Sequence, residues 1–290
     1  MAAATKRGRR TTSKKSAKRP AKRVFTPKIL VLRAPGTNCD RETAFAFKAA
    51  GAVTASLHVN ALLKDPKKLR RVHGLAIPGG FSHGDDLGAG TVLGAAIRTK
   101  LRDAVLGMVD RGGIVLGICN GFQVLAKTGL LPGFADDVDV SDRRVSLASN
   151  KQNRYEDRWV TLEAVSPRSV FFRPGDRIHC PVAHAEGRVV VQDETIRRRL
   201  HDEDHVALRY VDPSAKKAGP VPFPHNPNGS LDDIAGLCDH TGRILGLMPH
   251  PERNQFAWQD PRFHGGTAPK KAEGMLPFVN SVKYLKRKFG

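Results

Sequence analysis

The chain has 290 residues, 40% hydrophobic and 26% charged, with 48 Lys and Arg against 28 Asp and Glu for a net charge of +20. This length and apolar content can bury a sizeable core, which excludes a chain disordered throughout. No apolar run approaches the roughly 18–20 residues of a spanning helix, and the N-terminus lacks the apolar core of a secretory signal, so a cytoplasmic protein with no membrane contact is expected.

The charge is concentrated at the start. MAAATKRGRRTTSKKSAKRPAKR holds ten Lys and Arg and no acid, and it has no apolar periodicity with which to recover the entropy lost on ordering. Residues 1–26 are therefore expected to be a basic disordered tail, followed by one domain over 27–290. The tail reads as a solubilising extension, as a weak binder of polyanions such as RNA or DNA, or as a transit peptide.

The domain opens with KILVLRAPGTNCDRETAFAFKAAGA: an apolar strand, a Pro-Gly turn, then apolar residues at helical spacing through Phe45 and Ala49. The same unit recurs where Leu75 to Ile77 end in Pro-Gly-Gly, and where Ile114 to Ile118 run into Cys119. Short apolar strands alternating with helices predict an α/β fold, a doubly wound, mostly parallel sheet flanked by helices, with functional loops converging at the carboxyl ends of its strands. From Trp159 onward RWVTLEAV, GRVVVQ and HVALRYV read as hairpins or mixed strands on the same sheet. SAKKAGPVPFPHNPNGS reads as loop, and IAGLCDHTGRILGLMPHPERNQ as two strands across a His-Thr-Gly turn.

The four cysteines, Cys39, Cys119, Cys180 and Cys238, stand far apart without a CxxC pair, which argues against a disulfide framework and a structural zinc site. A cysteine after an apolar strand is commonly inert core, but Cys119 is flanked by Gly117 and Gly121, which permit a tight strand-to-helix turn, and Asn120 to Thr128 forms a helix closed by Gly129. The sulfur then lies at a helix N-terminus, where free N–H groups and the macrodipole favour a thiolate, a nucleophile elbow with sulfur for oxygen. His250 follows another apolar strand expected to end on the same rim, and Glu252, projecting from the same face of an extended segment, could hold its imidazole in one tautomer. Taken singly, each reads as a loop histidine and a surface acid; the trio reads as a nucleophile, a base and an orienting group. The glycine turn in Pro78 to Asp85 and the Asn120 N–H could stabilise an oxyanion.

GICNGFQ with a distant MPHPER resembles the class I glutamine amidotransferases. APGTNCDRE, PGGFSHGD, GLLPG, PVAHAEGR and NPNGS extend the resemblance to the glutaminase subunits of phosphoribosylformylglycinamidine synthase, over residues 28–255. The resemblance implies a flavodoxin-like fold with Cys119 as nucleophile toward glutamine, His250 as acid/base, Glu252 as its orienter, Gly80 and Asn120 as oxyanion donors, and Gln123 in contact with bound glutamine. It implies no metal or organic cofactor in this chain. It also implies ammonia transfer to a separate synthetase subunit that uses ATP and magnesium, with a small bridging subunit as a further partner; no Walker-type GxxxxGK[ST] occurs here. His83 and Ala185 stand where tyrosine and glycine are common, and His184, Glu186 and Asn228 to Ser230 are hallmarks without a derivable role. The other readings are an amidotransferase for a different synthetase, a stand-alone cysteine hydrolase, and a nucleic-acid-associated protein with a vestigial site. A subunit lacking its own ammonia acceptor is expected to be nearly idle alone.

Overall fold

All three strand-loop-helix units anticipated in the first half of the domain are present. In the computed structural model, which describes residues 25–137, 143–215, 219–267 and 269–290, β1 (Lys28–Arg33) leads to α1 (Asp40–Ala49), and β2 (Val53–His58) to the short α2 (Val59–Lys64). β3 (Gly74–Ile77) is followed by a glycine loop, α3 (Thr91–Lys100) and α4 (Arg102–Asp110), and only Cys119 separates β4 (Ile114–Ile118) from α5 (Asn120–Thr128). Every residue of β3 and β4 is buried, because a parallel strand covered on both faces has no solvent side to make polar.

The second half comprises β5 (Val145–Ser149), β6 (Glu156–Ala164), β7 (Arg177–His184), β8 (Glu186–Val191), α6 (Glu194–Asp202), β9 (Val206–Val211), β10 (Ile234–Cys238), β11 (Ile244–Leu247) and α7 (Leu276–Phe289). The main sheet runs β2-β1-β3-β4-β11-β10-β9-β6-β7. It is parallel from β2 to β11 and antiparallel from β11 to β7. The change of direction has a local cause. The chain between β10 and β11 is far shorter than a crossover between parallel strands requires, and Asp239 pins it by accepting from the N–H groups of Arg243 and Ile244 at 3.0 and 2.9 Å.

One strand departs from the expected sheet. β8, which holds all of GRVVVQ but its last residue, leaves the main sheet and pairs with β5 in a two-stranded antiparallel ribbon. Only Ala185 separates β7 from β8, and one residue is too few to reverse a hairpin, so the chain runs on past the sheet edge and finds another partner.

α3 packs against both α5 and α4, and α7 packs against α1. α5 is buried at every position except Lys127. Among the described residues no helix is long and apolar enough to cross a membrane. Residues 1–24 of the expected tail lie outside the described residues; Phe25 packs its ring against His73 and Phe289, with centroids 4.9 and 6.1 Å away. Because β1, β3, β4 and β11 are mutually parallel, their carboxyl ends share one rim, which collects the loops carrying Cys39, Gly80, Cys119 and His250.

Candidate active site

Cys119 has φ 51° and ψ −105°, a conformation that non-glycine residues seldom adopt and that surrounding packing must hold in place. Its N–H donates to Leu247 O at 2.8 Å, its carbonyl caps α5 by accepting from Phe122 and Gln123, and its sulfur lies 3.8 Å from Ala183 O. Gly121 is what lets α5 start so close to the sheet: a Cβ there would stand 1.9 Å from Ile77 O. The glycine flanks of the motif are therefore steric requirements of the elbow.

His250 is buried and donates its backbone N–H to Pro181 O at 2.8 Å. Its Nδ1 is 2.6 Å from Glu252 Oε1, and Glu252 is wholly buried. The pairing arises differently from expectation. Pro251–Arg253 is a 3-10 turn, not an extended segment, and the turn curls the carboxylate back onto the ring. Among the described residues His250 Nε2 has no hydrogen-bond partner, and His250 and Cys119 line the same small cavity with Asn38, Gly80, Tyr155 and Arg253. Burial opposes a charged ring, but the Glu252 carboxylate and the Cys119 sulfur outweigh it and hold the His250 pKa well above the ordinary histidine value.

Gly80 lines this cavity, and Asn120 follows Cys119 directly at the head of α5. Gly80 has φ 140°, and a Cβ there would lie 2.6 Å from Gly36 O, so only glycine fits. The loop is zipped to the one after β1: Asn38 and Cys39 N–H groups donate to Gly79 O at 3.3 and 3.2 Å, and Phe81 N–H to Gly36 O at 3.0 Å. Asn120 heads α5, so its N–H has no intrahelical acceptor. Its side chain binds the glycine loop, accepting from Ser82 N–H at 3.2 Å and donating to Asp85 Oδ1 at 3.2 Å.

Gln123 joins the site through its neighbours. Its Oε1 accepts from Asn120 Nδ2 at 3.0 Å and its Nε2 donates to Glu186 O at 2.5 Å, so both ends of the amide are engaged. The hallmark segments acquire roles here. Asn228 Nδ2 donates to Gly187 O and Tyr210 Oη at 2.9 and 3.2 Å, and Val189 N–H donates to Ser230 Oγ at 3.0 Å. The Asn228 to Ser230 loop thus clamps β8, and β8 holds the Glu186 carbonyl under Gln123. His184 is buried, with Nδ1 3.1 Å from Asn150 Oδ1.

Sequence reasoning passed over Cys39, Tyr155, Ala183 and Arg253. Cys39 lies 3.9 Å from His250 Nδ1, and the Arg253 guanidinium donates to its sulfur at 3.1 Å. The sequence signal for three of these was their place in or beside motifs, Cys39 inside APGTNCDRE, Ala183 inside PVAHAEGR and Arg253 directly after His-Pro-Glu. A larger cavity of about 850 Å³ beside α6 is lined by ion-paired Arg197 and Asp232 and contains no thiol.

The model of the CobB/CobQ-like glutamine amidotransferase domain matches residues 26–285. The chain is 43% identical over 262 residues to phosphoribosylformylglycinamidine synthase subunit PurQ of Dehalococcoides mccartyi, covering 90% of this chain and 98% of that one. Identity to the subunit of the same name from Archaeoglobus fulgidus is 37% over 272 residues, covering 90% and 97%. Among solved structures, one described as PurLQS from Thermotoga maritima superposes with a TM-score of 0.63 at 28% identity, over 88% of this chain and 98% of that one.

Proposed function

The chain belongs to the CobB/CobQ-like glutamine amidotransferase family, in its branch of phosphoribosylformylglycinamidine synthase glutaminase subunits, and we propose that Cys119, His250 and Glu252 are the triad through which it releases ammonia from glutamine. The single observation that carries this is the Glu252–His250 pair at 2.6 Å, with Cys119 held on a strained elbow beside the same cavity.

In this reading Cys119 Sγ attacks the carboxamide carbon of glutamine. The oxygen gains negative charge opposite the N–H groups of Gly80 and Asn120, which are fixed before the reaction and need no reorganisation. His250, kept charged by Glu252, passes its proton to the departing nitrogen, so ammonia leaves and a γ-glutamyl thioester remains. Water then attacks the thioester, His250 takes up its proton, and glutamate and the free thiol are regenerated. Gln123 acts by fixing Asn120 beside the sulfur and the Glu186 carbonyl at the rim.

These steps need no cofactor in this chain. The ammonia passes to a synthetase subunit that uses ATP and magnesium to convert formylglycinamide ribonucleotide to formylglycinamidine ribonucleotide in de novo purine synthesis, with a small bridging subunit completing the assembly. That the Dehalococcoides mccartyi and Archaeoglobus fulgidus relatives bear the subunit's name and match over nearly their whole length supports this partner. The expected result for Cys119→Ser in the reconstituted complex is loss of glutamine-dependent synthesis with ammonium-dependent synthesis intact. Glutamine use within tenfold of the unmodified protein would remove Cys119 from the mechanism.

A further inference from the structure

His250 is bracketed by two thiols, and the triad uses only one. On the Nδ1 side the buried Cys39 presents its sulfur at 3.9 Å, next to the Glu252 carboxylate. Cys39, His250 and Glu252 can each place a donor atom so that all lie within 4.8 Å of one another, and all three residues are buried. Thiolate, imidazole and carboxylate are the ligand types that zinc selects, and on a tetrahedral ion a sulfur and a nitrogen stand roughly 3.5 Å apart. The observed 3.9 Å needs little adjustment. The Nδ1–Oε1 contact of 2.6 Å must open, and Glu252 has the means: its Oε2 is buried with no hydrogen-bond partner among the described residues, so the carboxylate has an unused acceptor to turn toward an ion.

We propose that Cys39, His250 and Glu252 form an inhibitory site for a thiophilic divalent cation such as zinc, which binds His250 Nδ1 in place of its contact with Glu252. Binding releases the protons of the Cys39 thiol and of Nδ1 to solvent, and the Arg253 guanidinium gives up its hydrogen bond to the sulfur. A ring held this way has lost the orienting carboxylate and cannot cycle its charge. The ion reaches the site from the cavity lined by Asn38, His250 and Arg253, with water in the remaining position. The inhibitory consequence rests on His250 being the acid/base of the triad; the binding itself does not.

Cobalt(II) titrated into the metal-free full-length chain tests the binding without any assay of activity. A thiolate-to-cobalt charge-transfer band should appear at one ion per chain, be abolished by zinc, persist in Cys119→Ser and vanish in Cys39→Ser and Cys39→Ala. Zinc affinity of the Cys39 variants, measured against a chromophoric chelator, should fall by more than the about 100-fold that loss of an outer-shell partner costs. Thermal unfolding of each variant establishes that it is folded, and Cys39→Ser, which keeps the side chain's size, is the deciding one. If the band is missing from the unmodified chain, survives in folded Cys39→Ser, or disappears in Cys119→Ser, the proposed site is wrong. In the assembled complex, stoichiometric zinc should suppress glutamine hydrolysis; cobalt bound through Cys39 with turnover unaffected would overturn the inhibitory role. Absence of glutamine hydrolysis before any metal is added would instead count against the triad.

Discussion

Four thiols in this chain are buried, and their surroundings separate them. Burial pushes the Cys238 thiol up to about 12 and raises Cys180 further, so both are inert at neutral pH. Cys119 differs in backbone: it is held with positive φ at the head of α5, beside a cavity and a charged histidine. His184 shows the opposite effect of burial on a base. Its pKa is pushed down to about 3, by burial first and then by the nearby His250 charge, with Glu156 opposing. An unfolded histidine titrates near 6.5, so the unfolded chain takes up this proton first. The resulting stability is complete above about pH 6.5 and is lost as pH falls toward 3, by up to about 1.4 kcal/mol per pH unit. Unfolding free energies measured between pH 7 and pH 4.5 should fall less steeply for His184→Gln than for the unmodified protein. Parallel profiles would mean that His184 does not titrate as its burial requires.

At the scale of elements, the ribbon of β5 and β8 with the Asn228 to Ser230 loop supports one side of the site. Asn228 reaches both the Gly187 carbonyl and the Tyr210 hydroxyl inside the protein. Asn228→Ala leaves buried polar atoms unpaired, a cost of about 1–3 kcal/mol. A melting temperature lower by about 2–4 °C per kcal/mol is then expected by calorimetry. Since β8 also holds the Glu186 carbonyl against Gln123, KM for glutamine in the assembled complex should rise more than kcat falls. A lowered melting temperature with unchanged KM would confine the loop to a stabilising role.

For the whole molecule, the size of the cavity beside Cys119 and His250 matters most. At about 20 Å³ it has room for about one water and not for a glutamine side chain. The glycine loops after β1 and β3 are tied to each other by backbone hydrogen bonds, so the half-exposed Phe81 and Tyr155 at the rim are the parts free to open it. An open form present in about 1% of free chains would give roughly hundredfold activation on docking to a synthetase, a coupling of about 2.7 kcal/mol. Glutamine hydrolysis should rise by that order when the synthetase and its ligands are added; a free chain already turning over at the rate of the complex would rule gating out. Removing residues 1–23 spares the packing of Phe25. That truncation should leave hydrolysis by the complex unchanged while weakening polyanion binding, read from its salt dependence, and a large loss of activity would place the tail at the docking surface.

Local chemistry determined which residues read as the candidate site. An apolar strand breaking at Cys119 between two glycines can be read as an elbow because its constraint is steric and spans five residues. Likewise, alternating strands and helices imply a parallel sheet because a helix is the ordinary return path between parallel strands. What sequence could not supply depends on contacts between distant segments. The 3-10 turn that brings Glu252 onto His250, the departure of β8 from the sheet, the bracing of Gln123 by Glu186, and the placement of Cys39 beside His250 from 211 residues away arise only when the strand ends meet on one rim. There the backbone groups of each loop must find partners on another loop, and the tertiary structure decides which.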